Sequence, residues 1–415
     1  MSIVRVPLGK FVKVIGGFAF KSEDFSDSGA PVVRISDIQD GGVNIGGTAR
    51  ISPDKLGKGS KYKIAPGDIL IAMSGATTGK IGVVARELNE NVYLNQRIGN
   101  FRIIDPLKVE KGYLRYVLQA PDYQLQISRA MVGVAQPNIS PSQLESFEIP
   151  LPSLPEQCRI ATILDKTDSL REKRRQVIAK LDELLKSVFI EMFGDPVTNP
   201  KGWKIIELGD LVQVVGGYAF QSELFSENGE GIVRISNLED GTLNLNNLAR
   251  ILREKLGKGV RYAVEPGDVL IAMSGATTGK LGVVPLDLEV KLYQNQRVGN
   301  FKILNPNRIE RTFLISFLKS RYYQSNIWQL AWGAAQPNIS SKQLESAKMI
   351  LPSFDQQQRF AIQAAAIERL KSKSQTSIES LDSLFTSLQQ RAFSGELFTE
   401  KTVSTSLLTE VAQHV

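Results

Sequence analysis

The chain has 415 residues, 42% hydrophobic and 22% charged, with a net charge of +7, which is enough for two or three domains with a sizeable core and a basic balance that suits a polyanionic partner. It has no apolar run of about 18 residues, and residues 1–20 lack a signal-peptide pattern, so a membrane span and secretion are not expected and the cytoplasm is. The single cysteine, Cys158, and the single histidine, His414, exclude a disulfide framework, a cysteine-rich or multi-histidine metal site, and any Ser-His-Asp or Cys-His device.

In chain order, residues 1–152 read as a globular segment rich in glycine and short β-like runs. VVRI at 32–35, DILIAM at 68–73, IGVV at 81–84 and NFRII at 100–104 are apolar runs between turn residues, the pattern of buried strands. Polar loops separate them. Arg34 and Ser36 stand at a strand end, where a DNA contact and an internal ion pair are both open readings. Ser74, Thr77, Thr78 and Lys80 lie in SGATTGK at 74–80. This is not a Walker A loop: three residues separate Gly75 from Gly79 where four are needed, and Ile81 follows the lysine where Ser or Thr would hold magnesium. Backbone N–H groups, hydroxyls and the ammonium would suit one DNA phosphate; the alternative is a tight turn whose threonines bond their own backbone. Asn95, Gln96 and Arg97 form an NQR cluster, and Gln136 and Asn138 belong to a QPN loop. Arginine pairs with guanine, and Asn or Gln with adenine, in the major groove; the alternative for both loops is polar side chains that satisfy backbone.

Residues 153–195 read as a helix. Ser153-x-x-Glu156 is a capping-box pattern, and Pro155 fits the first turn. Ile160, Leu164, Thr167, Leu170, Val177, Leu181, Leu184 and Val188 then give a seven-residue seam, interrupted at Arg174.

At 196 the chain starts again. Adding 200 to a position in the first half gives its counterpart: PGDILIAMSGATTGKIGVV at 66–84 becomes PGDVLIAMSGATTGKLGVV at 266–284, and AQPNIS at 135–140 recurs unchanged at 335–340. Residues 196–352 are therefore a second globular segment, whose candidate contacts are Arg234, Ser236, Ser274, Thr277, Thr278, Lys280, Asn295, Gln296, Arg297, Gln336 and Asn338. Residues 353–397 form the second helix. It opens on Ser353-x-x-Gln356, and its seam is Phe360, Ala364, Ile367, Leu370, Ile378, Leu381, Leu384 and Leu388, interrupted at Ser374. Residues 398–415 are a tail without an assigned role.

The matched lengths and phases predict that the two helices pair antiparallel, with an approximate two-fold axis across the chain and residue 397 returning near residue 1; the alternative is two amphipathic helices packed on separate domains. A helix of this length is ~60 Å long, roughly 18 base pairs. Neither copy carries a DNA-aminomethyltransferase motif or a GxGxxG loop. Carboxylate pairs such as Asp37 with Asp40 read better as turn residues than as an acid–base couple.

The order of parts resembles the specificity subunits of type I restriction–modification systems. It rests on LPSLPEQCRI at 151–160, MFGDP at 192–196, NPKGW at 199–203 and QQRAFSGEL at 389–397, and covers nearly the whole chain. The resemblance implies an α+β fold with two target recognition domains, each reading one half of a bipartite site in double-stranded DNA, and helices that set the spacer and dock two modification subunits. Those partners would carry S-adenosylmethionine and methylate adenine; a restriction subunit would bring ATP, magnesium, translocation and cleavage. This chain would hold no cofactor and do no chemistry.

The likeness of the copies predicts an interrupted near-palindrome, its symmetry broken by Asp37/Asn237, Gln39/Glu239, Gly42/Thr242, Leu94/Gln294, Val132/Trp332 and Val134/Ala334. Three rival readings are a subunit of a stand-alone methyltransferase or fused restriction enzyme, a repeat scaffold that binds protein, and an enzyme acting alone.

Overall fold

The apolar runs pair as strands in the computed structural model, which describes residues 3–39, 41–132, 137–239, 241–288, 290–331 and 337–397. The chain is α+β and divides into two compact units. The first combines residues up to 175 with those from 375 on; the second is residues 176–374. Each unit holds one globular segment and half of each long helix, Leu154–Phe193 and Phe354–Ser394.

In the first unit a six-stranded sheet runs in the order Val12–Gly16, Ile98–Ile103, Ile69–Ala72, Ile81–Val83, Gly41–Val43, Ile38–Gln39. A four-stranded sheet holds Tyr93–Leu94 parallel to Ala30–Val33, followed by Ala49–Ile51 and Phe25–Ser26. The strand Ile69–Ala72 is buried on both faces, as a continuous apolar run requires. The second unit repeats the central pairings: Val298–Ile303 lies between Val212–Gly216 and Val269–Ala272, and Leu292–Gln294 runs parallel to Glu230–Val233.

Each long helix is fastened to its globular segment by a buried glutamine. Gln157 accepts the Glu110 N–H (2.9 Å) and donates to the carbonyls of Lys108 (2.8 Å) and Pro152 (3.0 Å). Gln357 repeats this with Glu310, Arg308 and Pro352. Here lies the physical role of the glutamine in LPEQ. Gln157→Leu keeps the volume but strands a buried N–H and its carbonyl partners, so it is expected to lower unfolding free energy by about 2–4 kcal/mol in urea titrations; a loss below about 1 kcal/mol would show that the helix is held by apolar packing alone. The capping boxes are partly made: Glu156 accepts both the Ser153 N–H (3.3 Å) and hydroxyl (3.0 Å), and Ser353 donates its hydroxyl to Gln356 (3.2 Å).

Within each unit the helices run antiparallel. In the first, Ile160 and Leu164 share a core with Leu388 and Ala392, and Arg171 bonds Asp382. Leu397 joins that same core cluster, which also holds Leu8. In the second unit, Phe189 and Phe193 pack with Phe360 and Ala364, and Lys371 bonds Asp182 at 2.6 Å. The expected seam is corrected at three places: Val177, Leu184 and Leu370 are 38%, 47% and 52% exposed. An α-helix drifts about 20° per heptad from a strict seven-residue repeat. Near the end of the first helix the inward face is therefore Leu185, Val188 and Phe189, packed on the globular core as well as on a helix.

The GDP and NPxGW motifs close the first helix. Gly194 takes φ 79°, the left-handed turn that favours glycine after a helix. The free carbonyls of the last turn before it are met by side chains: Trp203 Nε1 donates to Phe193 O (2.8 Å), and Lys201 Nζ to Glu191 O and Met192 O.

One carboxylate ties a short helix to the first sheet. Glu145 accepts Lys13 Nζ and the Val14 N–H, both at 2.9 Å. Burial pushes its pKa up, but the lysine and the N–H outweigh it, and the net shift is downward from 4.5. A lowered folded-state pKa means a contribution present above the unfolded value and lost as pH falls through the folded one. The stability gap between the parent chain and Glu145→Gln should thus be constant from neutral pH down to the ordinary carboxylate range and close below it. A gap that widens in acid would contradict this pairing.

Candidate nucleic-acid interface

Four loops that are far apart in sequence meet at one end of each globular segment. The parallel pair Ala30–Val33 and Tyr93–Leu94 brings the first two together: Asn95 N–H donates to Val33 O (3.2 Å), so Arg34 and the NQR loop leave the sheet side by side. Met73 links the NQR and PN loops, its N–H donating to Arg97 O and its carbonyl accepting the Ile139 N–H, both at 2.9 Å. Ser74 and Asn138 form a β-bridge next to it. The second copy reproduces these bonds through Asn295, Val233, Met273, Arg297, Ile339, Ser274 and Asn338.

In the first copy this junction opens a cleft of about 460 Å³ lined by Ser74, Gln96, Arg97 and Asn138 among others. Gln96, Arg97 and Asn138 are exposed, as are Gln296, Arg297 and Asn338, while Asn95 and Asn295 are half-buried. Ser74 and Ser274 are buried, and neither hydroxyl has a hydrogen-bond partner among the described residues. Two exposed amides and a guanidinium on one rim are the donors and acceptors that base edges or phosphates require. Gln136 and Gln336 lie outside the described residues.

The SGATTGK loop departs from the expected phosphate cradle. Gly75 N–H donates to Pro137 O, Thr78 N–H to Gly75 O, Gly79 N–H to Ala72 O and Lys80 N–H to Thr77 O. Thr78 Oγ1 donates to Gly75 O at 2.6 Å, and Thr278, itself buried, repeats this at 2.7 Å. These donors close a tight turn, so they do not converge on an anion with the lysine. Thr77 is half-buried with its hydroxyl 3.4 Å from Ile35 O, and the Thr277 hydroxyl is buried without a hydrogen-bond partner among the described residues. Lys80 and Lys280 remain exposed. Lys80 lines a second cleft of about 760 Å³ inside the first unit, with Arg115, Arg171 and Arg175. Sequence reasoning missed those arginines, which lie on helices and carry no loop signal. All three are already paired: Arg115 bonds Asp168, Arg171 bonds Asp168 (3.2 Å) and Asp382 (2.5 Å), and Arg175 lies 3.8 Å from Glu172.

Arg34 is exposed, with Nε 3.9 Å from Asp37; Arg234 is half-buried, and Ser36 and Ser236 are exposed. Two of the proposed symmetry-breaking differences are corrected by burial. Asp37 and Asn237 point inward, as do Leu94 and Gln294, whose amide donates to Val215 O and Val298 O. Burial removes these side chains as direct base contacts. Gln39/Glu239 and Thr242 are exposed, Gly42 is half-buried and Val132 is exposed; Trp332, Val134 and Ala334 lie outside the described residues. Among the described residues, no helix is long and apolar enough to cross a membrane, and no group of three His, Cys, Asp or Glu could hold a metal ion.

The family model described as the type I restriction modification DNA specificity domain matches twice, over residues 3–181 and 200–380. The type I restriction enzyme EcoBI specificity subunit of Escherichia coli is 24% identical over 430 residues, 95% of this chain and 86% of that one. The MjaVIII specificity subunit of Methanocaldococcus jannaschii is 26% identical over 318 residues, 73% of this chain and 72% of that one. The crystal structure of the type I restriction–modification system S subunit from M. genitalium shares the fold, with a TM-score of 0.56 at 18% identity over 94% of this chain and 96% of that one.

Proposed function

The chain belongs to the family of type I restriction–modification DNA specificity subunits, and from that premise we propose that each globular segment reads one half of a bipartite DNA site through the cleft where its loops meet. The specificity subunit binds DNA and is not itself catalytic. The observation that carries the reading is the recurrence, in both copies, of Gln96/Gln296, Arg97/Arg297 and Asn138/Asn338 on loops held by the same Met73/Met273 backbone bonds. Lys80 and Lys280 are assigned to phosphates, which position the duplex without reading it.

Two modification subunits would dock on the long helices and supply S-adenosylmethionine chemistry; a restriction subunit would add ATP and magnesium. Matching loop junctions on two copies of one domain, read in inverted orientation, give two similar half-sites and so an interrupted near-palindrome. The test is the adenine-methylation map of the host with and without the gene. Loss of one interrupted, nearly palindromic motif is the expected result. Loss of a motif with unrelated half-sites would refute the inverted-reader part, and no change in any motif in a host that expresses the gene would refute the specificity role.

A further inference from the structure

The two recognition segments hold the same arginine in different electrostatic settings. Arg34 and Arg234 share backbone geometry, with φ/ψ of −115°/167° and −110°/164°, and both emerge beside the NQR loop, whose Asn95 or Asn295 N–H donates to the preceding Val33 or Val233 carbonyl. The following turn differs by one ionisable group. In the first copy, Asp37 accepts the Arg34 N–H (2.7 Å) and the hydroxyls of Ser36 (3.2 Å) and Thr48, and its carboxylate lies 3.9 Å from Arg34 Nε. In the second, Asn237 accepts the Arg234 N–H (2.9 Å) and turns its amide to the carbonyls of Asn244 (3.2 Å) and Asn247 (3.4 Å).

The neighbouring position follows the change. Thr48, a hydroxyl donor facing a carboxylate, becomes Leu248 where the amide brings its own donors. Each turn is internally satisfied, but among the described residues only the first pairs its arginine with a carboxylate. Arg234 Nε is buried with no hydrogen-bond partner among the described residues. Glu239, the acid that replaces Gln39, is turned to the Asn244 amide at 2.8 Å and not to Arg234.

We propose that Arg234 binds a DNA backbone phosphate that Arg34 does not, so that two nearly identical readers grip DNA with unequal strength and the second anchors the complex. The proposal rests on the DNA-reading assignment above. A guanidinium partly removed from water without an anion gains most from a phosphate partner, whereas one beside a carboxylate is already neutralised. Asp37 with Thr48, against Asn237 with Leu248, is then a switch that sets the charge of one contact without altering the loop.

The test is the salt dependence of binding by the full chain to a mixed-sequence DNA duplex. Arg234→Gln should flatten the slope of log Kobs against log salt by about 0.9 and weaken binding roughly tenfold at low salt; Arg34→Gln should do markedly less. Asn237→Asp with Leu248→Thr, which transplants the first copy's setting and keeps the arginine, should flatten the slope to the same extent as Arg234→Gln. Asp37→Asn with Thr48→Leu should steepen it by about 0.9. Equal effects of the two arginine changes, or a transplant that leaves the slope unmoved, overturn the inference while the parent's steep slope keeps the DNA-reading assignment. A parent slope near zero overturns both.

Discussion

Replacing Arg97 and Arg297 together by glutamine is expected to weaken binding to the target duplex by about 2–6 kcal/mol, roughly 30-fold to 10⁴-fold, taking ~1–3 kcal/mol for each base contact. Both arginines are exposed, and the backbone carbonyl of each accepts the N–H of Met73 or Met273. The substitution therefore leaves the loop in place and removes only the side chain's reach. Because the two residues belong to separate units with separate cores, the single changes should add, and each should relax discrimination in one half-site only. Lysine separates base reading from phosphate binding. It keeps the charge but loses the planar fork, so Arg97→Lys should restore general affinity without restoring sequence preference. Fluorescence anisotropy on matched and half-site-mismatched duplexes gives both quantities. If both lysine variants bind and discriminate like the parent, these arginines do not read bases.

Truncation of Phe360 to alanine should cost about 3–5 kcal/mol. Phe360 is fully buried, with ring centroids 5.6 Å from Phe189 and 5.4 Å from Phe193, both edge-on. Phe313 completes the group, 4.8 Å from Phe193 and stacked on Phe189 at 5.7 Å. These four rings come from both long helices and the globular segment, so the cavity opens where three elements of the second unit meet. For a unit of this size the loss corresponds to a fall of about 6–20 °C in its melting temperature. Phe360→Leu keeps most of the volume and should forfeit mainly the ring contacts, worth about 0.5–1.5 kcal/mol each. The first unit has Ile160 and Tyr113 at the equivalent places of Phe360 and Phe313, where Tyr113 meets Phe393 edge-on at 5.8 Å; its transition should not move. Calorimetry resolving the two transitions checks this. An equal shift in both would mean that the units do not melt independently.

By itself the sequence determined the duplication, the strands built on VVRI, DILIAM, IGVV and NFRII, the two long helices and the family. These follow from local patterns: apolar runs between turns, a seven-residue repeat, and motifs such as LPEQ and NPKGW, whose Gln157 and Trp203 serve helix docking and helix capping. The tertiary structure decided what those patterns leave open. It placed Arg34 beside the NQR loop through a parallel pairing of strands some 60 residues apart, and gathered Arg97 and Asn138 around Met73. It also spent the Thr78 and Thr278 hydroxyls on their own turns, aimed Lys80 at a different cleft, and buried the Asp37/Asn237 and Leu94/Gln294 differences. It exposed Val177, Leu184 and Leu370, because the inward face of a helix is set by everything packed against it. The physical reason is common to these cases. Periodicity fixes how a segment folds on itself, whereas the partners of a polar side chain depend on which distant backbone groups the sheet brings within hydrogen-bonding reach.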